Sequence, residues 1–385
     1  MLMFEKAMVG SRRYWEWIVF LLALIALGGA FYLRQLSYGL AITGLSRDVS
    51  WGLYIAQFTF FVGVAASAVM VVLPYYLHDV RQFHSITILG ELLAVSSVTM
   101  CMLFILVDMG QPMRVLNVLR YPTLHSIMFW DMVSLGGYLL LNAVIAYTML
   151  RSEREEVAPP SWIKVLVLLS IPWAVSIHTV TAFLYSGLPG RTFWLTAILA
   201  PRFLASAFAS GPSLLILLCL LLRRLTRFDA GQEAIQKLGV IVAYAMSVSI
   251  FFVLLEMFTV FYSHIPEDLE HFRYLYVGLD GDRHLAAWMW VSVITGVAAL
   301  VILLVPRLRK NAVLLPLAAV LVIASLWIEK GMGLIVGGFV PAPFGDVTRY
   351  SPTLPEWLIV LGVWAIGALM ITVFYKITVS VREAK

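Results

Sequence analysis

Ten long apolar stretches run through this chain of 385 residues, and they leave little choice of fold class. A helix of about 20 apolar residues crosses the roughly 30 Å hydrocarbon core of a bilayer, because it satisfies its own backbone hydrogen bonds. The stretches predict helices near 15–34, 52–77, 84–108, 125–150, 161–185, 202–224, 238–263, 284–305, 311–329 and 355–378. The expected fold is an all-α integral membrane protein, with 61% hydrophobic and 13% charged residues. The loops are too short for an extramembrane domain, so a soluble catalytic partner has to be a separate chain.

The net charge of +5 does not point to nucleic acid. If the N-terminus lies inside, 17 of the 27 Lys and Arg residues fall on inner segments, from Lys6, Arg12 and Arg13 through Arg382 and Lys385. The positive-inside bias then predicts both termini in the cytoplasm. The acidic loop holding Glu267, Asp268, Glu270, Asp280 and Asp282 agrees with an outer location. Ser11-Arg12-Arg13 resembles a twin-arginine signal, but no small-residue cleavage site follows, so the first helix is expected to be retained.

Helices two to five and six to nine read as two similar blocks. One carries Phe61-Val62-Gly63-Val64-Ala65-Ala66-Ser67-Ala68, the other Phe203-Leu204-Ala205-Ser206-Ala207-Phe208-Ala209-Ser210-Gly211. Small residues let membrane helices approach closely. Such a repeat would be parallel and would give two four-helix bundles flanked by helices one and ten. The expected divisions of a single membrane domain are 1–51, 52–185, 186–330 and 331–385. In the last, the run from Gly331 to Gly338 followed by Pro341 and Pro343 is expected to be an irregular outer segment.

Ionisable residues at membrane depth are costly and mark function. Tyr54 and Gln57 sit near the outer end of helix two, Asp131 in helix four, and His178 and Tyr185 in helix five; Arg191 and Arg202 flank the next outer loop. An acid, an imidazole, hydroxyls and an amide among Trp51, Trp130 and Trp173 suit a quinone, whose two oxygens need hydrogen-bonding groups and whose ring needs flat apolar walls. Tyr and Trp near helix ends also serve simply as interfacial anchors, and a buried His as an interhelical bond. Glu91, Glu256 and Asp131 are candidates for proton transfer, or else structural acids.

Cofactors on the chain itself are not expected. Cys101 and Cys219 are isolated, with no CxxC or CxxCH, which excludes iron–sulfur clusters and c-type haem. Of seven histidines only His178 is clearly within the membrane, so bis-His haem and metal sites are not expected either.

Three segments carry a resemblance. Asp108-Met109-Gly110-Gln111-Pro112-Met113-Arg114 is followed by Pro122, Ser126 and Trp130; then come Ile171-Pro172-Trp173 with His178, Arg191-Thr192-Phe193-Trp194, and Ala200-Pro201-Arg202 through Ser210-Gly211. Together they resemble the NrfD/PsrC family of quinone-interacting membrane subunits. The ten-helix length and Trp51-Gly52-Leu53-Tyr54-Ile55-Ala56 are most similar to its DsrP (HmeB) branch, found in DsrMKJOP complexes of sulfur metabolism. The resemblance implies two four-helix bundles and a non-autonomous subunit of an oxidoreductase complex in the cytoplasmic membrane. It implies a menaquinone or menaquinol pocket in the first bundle, beneath a periplasmic ferredoxin-like iron–sulfur subunit. Such complexes are completed by cytochrome c and by further membrane and cytoplasmic redox subunits, and some relatives couple the redox step to protons. Tyr54 and Gln57 stand where some relatives have Asn or His. An alternative class is a secondary transporter or ion channel, against which stand the lack of an inverted repeat and of a broken midplane helix pair; a third is a purely structural anchor.

Overall fold

The computed structural model describes residues 3–78 and 80–382; Lys385, counted above among the inner cations, lies outside them. Among the described residues ten helices are long and apolar enough to cross a membrane, and no strand is present. They are α1 (Arg12–Tyr38), α2 (Leu53–His78), α3 (His84–Asp108), α4 (Ile127–Glu155), α5 (Ser161–Ser186), α6 (Leu199–Leu225), α7 (Gln232–Ser263), α8 (His284–Leu304), α9 (Leu314–Phe339) and α10 (Leu354–Arg382). The end on which the N-terminal segment lies is termed proximal here, and the opposite end distal.

Local chemistry sets several helix ends. The Ser11 hydroxyl accepts the Tyr14 N–H at 3.3 Å and caps α1. At the start of α10, the N–H of Thr353 donates to Glu356, 2.8 Å away, which is the return half of a capping box. Tyr350 donates its phenol proton to the same carboxylate (2.7 Å) and accepts the Leu53 N–H (2.7 Å), tying the distal end of α10 to the start of α2.

Neighbouring spans pack in two closed circuits. In one, α2 touches α3, α3 touches α4, α4 touches α5, and α5 returns to α2. In the other, α6, α7, α8 and α9 follow the same order, and α9 returns to α6. α1 and α10 pair with each other, and α10 lies on α3, so both occupy one side of the molecule. α2 is the central helix: 94% of its most apolar window is buried, against 17% for α1, whose side chains face lipid.

The two small-residue runs meet on the seam between α2 and α6. A Cβ on Gly211 would lie 2.7 Å from the Ser67 nitrogen, and one on Gly63 would lie 3.0 Å from Ser210 Oγ. No larger residue would leave the backbones this close.

Two spans read from sequence as continuous are interrupted, and they touch each other. α2 breaks at Ala66 between Leu53–Ala65 and Ser67–His78. α9 contains a π-helical turn, Trp327–Gly333, packed on α2. The segment from Gly331 to Gly338 is therefore helical, the last turns of a span ending at Phe339, and not an irregular outer segment. In a buried span the backbone has no water to bond to and keeps its helical bonds even where the sequence is rich in glycine. The irregular stretch begins after Phe339.

Candidate functional site

The inward face of α5 presents His178, Thr181 and Tyr185 in a row, each 0% exposed, at the i, i+3, i+7 spacing of one helix face. Two of the three bond to neighbouring helices. Thr181 donates its hydroxyl proton to Asp131 Oδ1 on α4, 2.7 Å away. Tyr185 meets Thr59 on α2, with 2.5 Å between hydroxyl oxygens. Neither ring nitrogen of His178 has a partner.

Aromatic rings close the distal side. Trp51 and Trp194 stack with centroids 5.9 Å apart, and Tyr185 lies edge-on to Trp51 at 5.7 Å and 5.4 Å from Trp194. Trp194 is held by donating its indole N–H to the Leu334 carbonyl on α9 (2.9 Å). Arg191 donates to the carbonyls of Phe339 (3.1 Å) and Asp48 (3.3 Å) and lies over the Phe339 ring. It thus caps the distal end of α9, and burial pulls its pKa down from the ordinary value.

His271, on the distal helix Pro266–Tyr276, caps the same end. Its Nδ1 lies 2.7 Å from the Gly337 oxygen and 3.0 Å from the Val340 oxygen. Carbonyls only accept, so Nδ1 carries the proton. Burial holds the His271 pKa below its usual value.

Tyr54 and Gln57 point elsewhere. Tyr54 donates to Gln35 Oε1 (2.7 Å), whose amide donates to the Val107 carbonyl (2.6 Å), a link among α1, α2 and α3. Gln57 accepts the Trp327 indole N–H (2.9 Å), and its own amide nitrogen is unpartnered and buried.

Arg202 and Glu256 belong to a separate buried cluster between α6, α7 and α9. Arg202 forms ion pairs with Glu256 and with Glu329 on the π-helical turn of α9. Glu91 stands apart on α3, 1% exposed, with both carboxylate oxygens unpartnered.

Sequence reasoning named both members of the Arg202–Glu256 pair but only one member of the Thr181–Asp131, Tyr185–Thr59 and Arg202–Glu329 contacts. Thr59 and Thr181 were missed because a Thr in a membrane helix commonly bonds its own backbone. Glu329 and Lys330 were missed because they close the ninth apolar run and read as its end. The signal for them was present, since two adjacent charges followed directly by Gly331 and nine further apolar or glycine residues do not resemble an interfacial boundary.

A cleft of about 310 Å³ lies between the distal end of α5 and the start of α6, lined by Phe183, Ser186, Leu195, Thr196, Ala197 and Ala200. Phe183 and Leu195 are exposed there, so it opens on the outside of the helices. Ser186 and Leu195 directly follow Tyr185 and Trp194 in the chain. Among the described residues, no group of three His, Cys, Asp or Glu side chains is arranged to hold a metal ion.

The family model described as polysulphide reductase, NrfD, matches residues 41–341. The chain belongs to the NrfD family. With its ten spans it is a multi-pass membrane protein. It is 28% identical to a putative membrane subunit of a dimethyl sulfoxide reductase from Halobacterium salinarum, over 93% of this chain and 89% of that one. It is 25% identical to an Hdr-like menaquinol oxidoreductase integral membrane subunit of Archaeoglobus fulgidus, covering 99% and 97% of the two chains. The integral membrane subunit of a menaquinone reductase from Nitratidesulfovibrio vulgaris is 22% identical, over 94% of this NrfD-family chain and 91% of its own.

Proposed function

We propose that this chain is the quinone-reactive membrane subunit of a redox complex. It would exchange electrons between menaquinol or menaquinone and an iron–sulfur cluster on a partner. The observation that carries this reading is His178: a fully buried imidazole with both nitrogens free, on the face of α5 that also carries Thr181, bonded to Asp131, and Tyr185, which meets the stacked tryptophans. An unpartnered buried polar atom costs about 1–3 kcal/mol, so such a group is kept where a ligand or water will bond to it. The free ring nitrogens of His178 match a quinone oxygen in kind, and the aromatic rings that meet Tyr185 match its plane.

A quinol gives up two protons with its two electrons. His178 accepts a proton from the oxygen it faces, and Asp131, bonded to Thr181 one turn away, is the next acceptor. Tyr185 and Thr59 fix the distal wall, and the cleft beside Ser186 is the entrance for a lipid-soluble substrate. Arg191 and the Arg202–Glu256 pair border this region, with Tyr54 bracing the start of α2. Glu91 and Glu256 are the further acids for proton coupling. Glu91 lies two turns along α3 from His84, which lines a proximal cleft with Glu153 and Glu156.

In the full reading, α2–α5 and α6–α9 form two four-helix bundles within one membrane domain. The termini are cytoplasmic, the distal face is periplasmic, and a ferredoxin-like iron–sulfur subunit sits there. Cytochrome c and other redox subunits belong to the complex, which is of the DsrP-containing, sulfur-metabolising type. The breaks in α2 and α9 are the feature that a transporter would also need. Against transport, the break in α2 is confined to Ala66 (φ −66°, ψ −7°), and the segments on both sides of it stay helical.

Purification of the complex in mild detergent tests the reading. Co-purifying iron–sulfur and cytochrome chains, with clusters reduced by a menaquinol analogue, are expected; a lone chain that takes up solute would overturn it. Reporter fusions in 265–283 and after α10 are expected on opposite sides, and the same side for both would refute the topology.

A further inference from the structure

The buried ion cluster contains a second cation that the reading above does not use. Lys330 follows Glu329 in the π-helical turn and is 4% exposed. Glu329 turns toward Arg202, whereas Lys330 turns toward α2 and α6. Its ammonium donates to the Phe203 carbonyl (3.2 Å) and lies 4.3 Å from the centre of the Phe203 ring. Among the described residues no carboxylate lies within ion-pair distance of it.

The seam between the two helix circuits is shaped to admit this side chain. A Cβ on Gly63 would stand 3.3 Å from Lys330 Nζ, so the bare glycine leaves the ammonium its place. The Phe203 ring under the ammonium is also in contact with Tyr185, with centroids 5.8 Å apart. Both carboxylates of the cluster are engaged by Arg202, which leaves the Lys330 ammonium at the seam of α2 and α6.

We propose that Lys330 is a cationic arm of the quinone site, reaching through the gap at Gly63 to favour negative charge on the ligand oxygen that faces His178. This rests on the quinone reading of the His178 site and adds to it a residue from the other helix circuit. A buried ammonium without a counter-ion is costly, and it is retained where its field acts on something. In a low-dielectric site a fixed cation beside a reacting oxygen needs no reorganisation when charge develops there. The site would thus discriminate between anionic and neutral forms of one ring.

The experiment measures binding, not turnover, on the complex purified in mild detergent. The probes are 2-hydroxy-1,4-naphthoquinone, anionic at neutral pH, and neutral 1,4-naphthoquinone of nearly the same size. Lys330→Met is expected to weaken the anionic probe by about tenfold or more and the neutral probe by less than about twofold. Lys330→Arg is expected to restore most of the loss. Gly63→Ala keeps the lysine but crowds it, and should show the same selectivity to a smaller degree if Lys330→Met does not assemble. His178→Ala should weaken both probes. Equal loss of both probes in Lys330→Met, or no loss of either, would overturn the proposal while leaving the His178 site standing. Failure of either probe to bind the unmodified complex would overturn the quinone reading and this inference together.

Discussion

Thr59 Oγ1 and Tyr185 Oη lie 2.5 Å apart, and a third atom fixes which of them donates. Thr59 also sits 2.8 Å from the Ile55 carbonyl, which can only accept. The threonine proton goes there, so Tyr185 donates to Thr59.

This polarity predicts an order of stabilities. Thr59→Val leaves the buried Tyr185 hydroxyl without its acceptor, at a cost of about 1–3 kcal/mol. Tyr185→Phe leaves Thr59 still bonded to Ile55 and should cost less. Thermal melting of the two variants in detergent checks it, and the reverse order would show that the bond runs the other way.

For electron transfer, His178→Ala and Asp131→Asn are each expected to slow quinol-linked reduction of the partner clusters at least about tenfold, roughly 1.4 kcal/mol in barrier. Assembly should survive, because His178 bonds to nothing and Asn can still accept from Thr181. Arg223→Gln, half-exposed at the proximal end of α6, serves as the control. Near-normal rates in both site variants would remove the proposed pocket.

Arg202→Met should be the most damaging substitution in the chain. It strands Glu256 and Glu329 as uncompensated buried charges, and breaking a buried pair this way costs about 3–5 kcal/mol. Neutralising all three residues, Arg202→Met with Glu256→Gln and Glu329→Gln, should recover much of the yield. Equal membrane yields for the single and triple variants would show that the charges are not coupled.

His271 gives the distal cap a pH dependence. Burial lowers its pKa from the ordinary 6.5, with the bonds to Val340 and Gly337 and the charges of Asp268 and Glu270 acting in the opposite direction. A depressed folded pKa means that the unfolded segment binds the proton more readily. The stabilisation is therefore full above about pH 6.5 and is lost as pH falls toward the folded value. Amide exchange in Pro266–Tyr276 should quicken on acidification from pH 7.5 to 5.5, and His271→Gln should flatten that response. Unchanged protection in the native chain would argue against the cap.

Hydropathy made the ten spans legible to within a few residues at most ends, because the bilayer demands continuous apolar helices. It failed at α9. There Glu329 and Lys330 look like an interface, yet partners on other spans bury them. The candidate site was half legible for the same reason. His178, Asp131 and Glu256 announce themselves as ionisable groups in lipid. Thr59 and Thr181 gain meaning only once α2, α4 and α5 are brought together, and a single sequence does not register which helix faces which.

The Arg202 cluster also bears on biogenesis. Arg202 emerges from the ribosome 54 residues before Glu256 and 127 before Glu329. α6 and α7 can enter the bilayer as a hairpin whose arginine and glutamate already cancel. α9 arrives later carrying Glu329 and Lys330 side by side, so it too brings no net charge to that depth. Each insertion step is electrically neutral on its own, and the shared cluster closes only when the last of these helices docks.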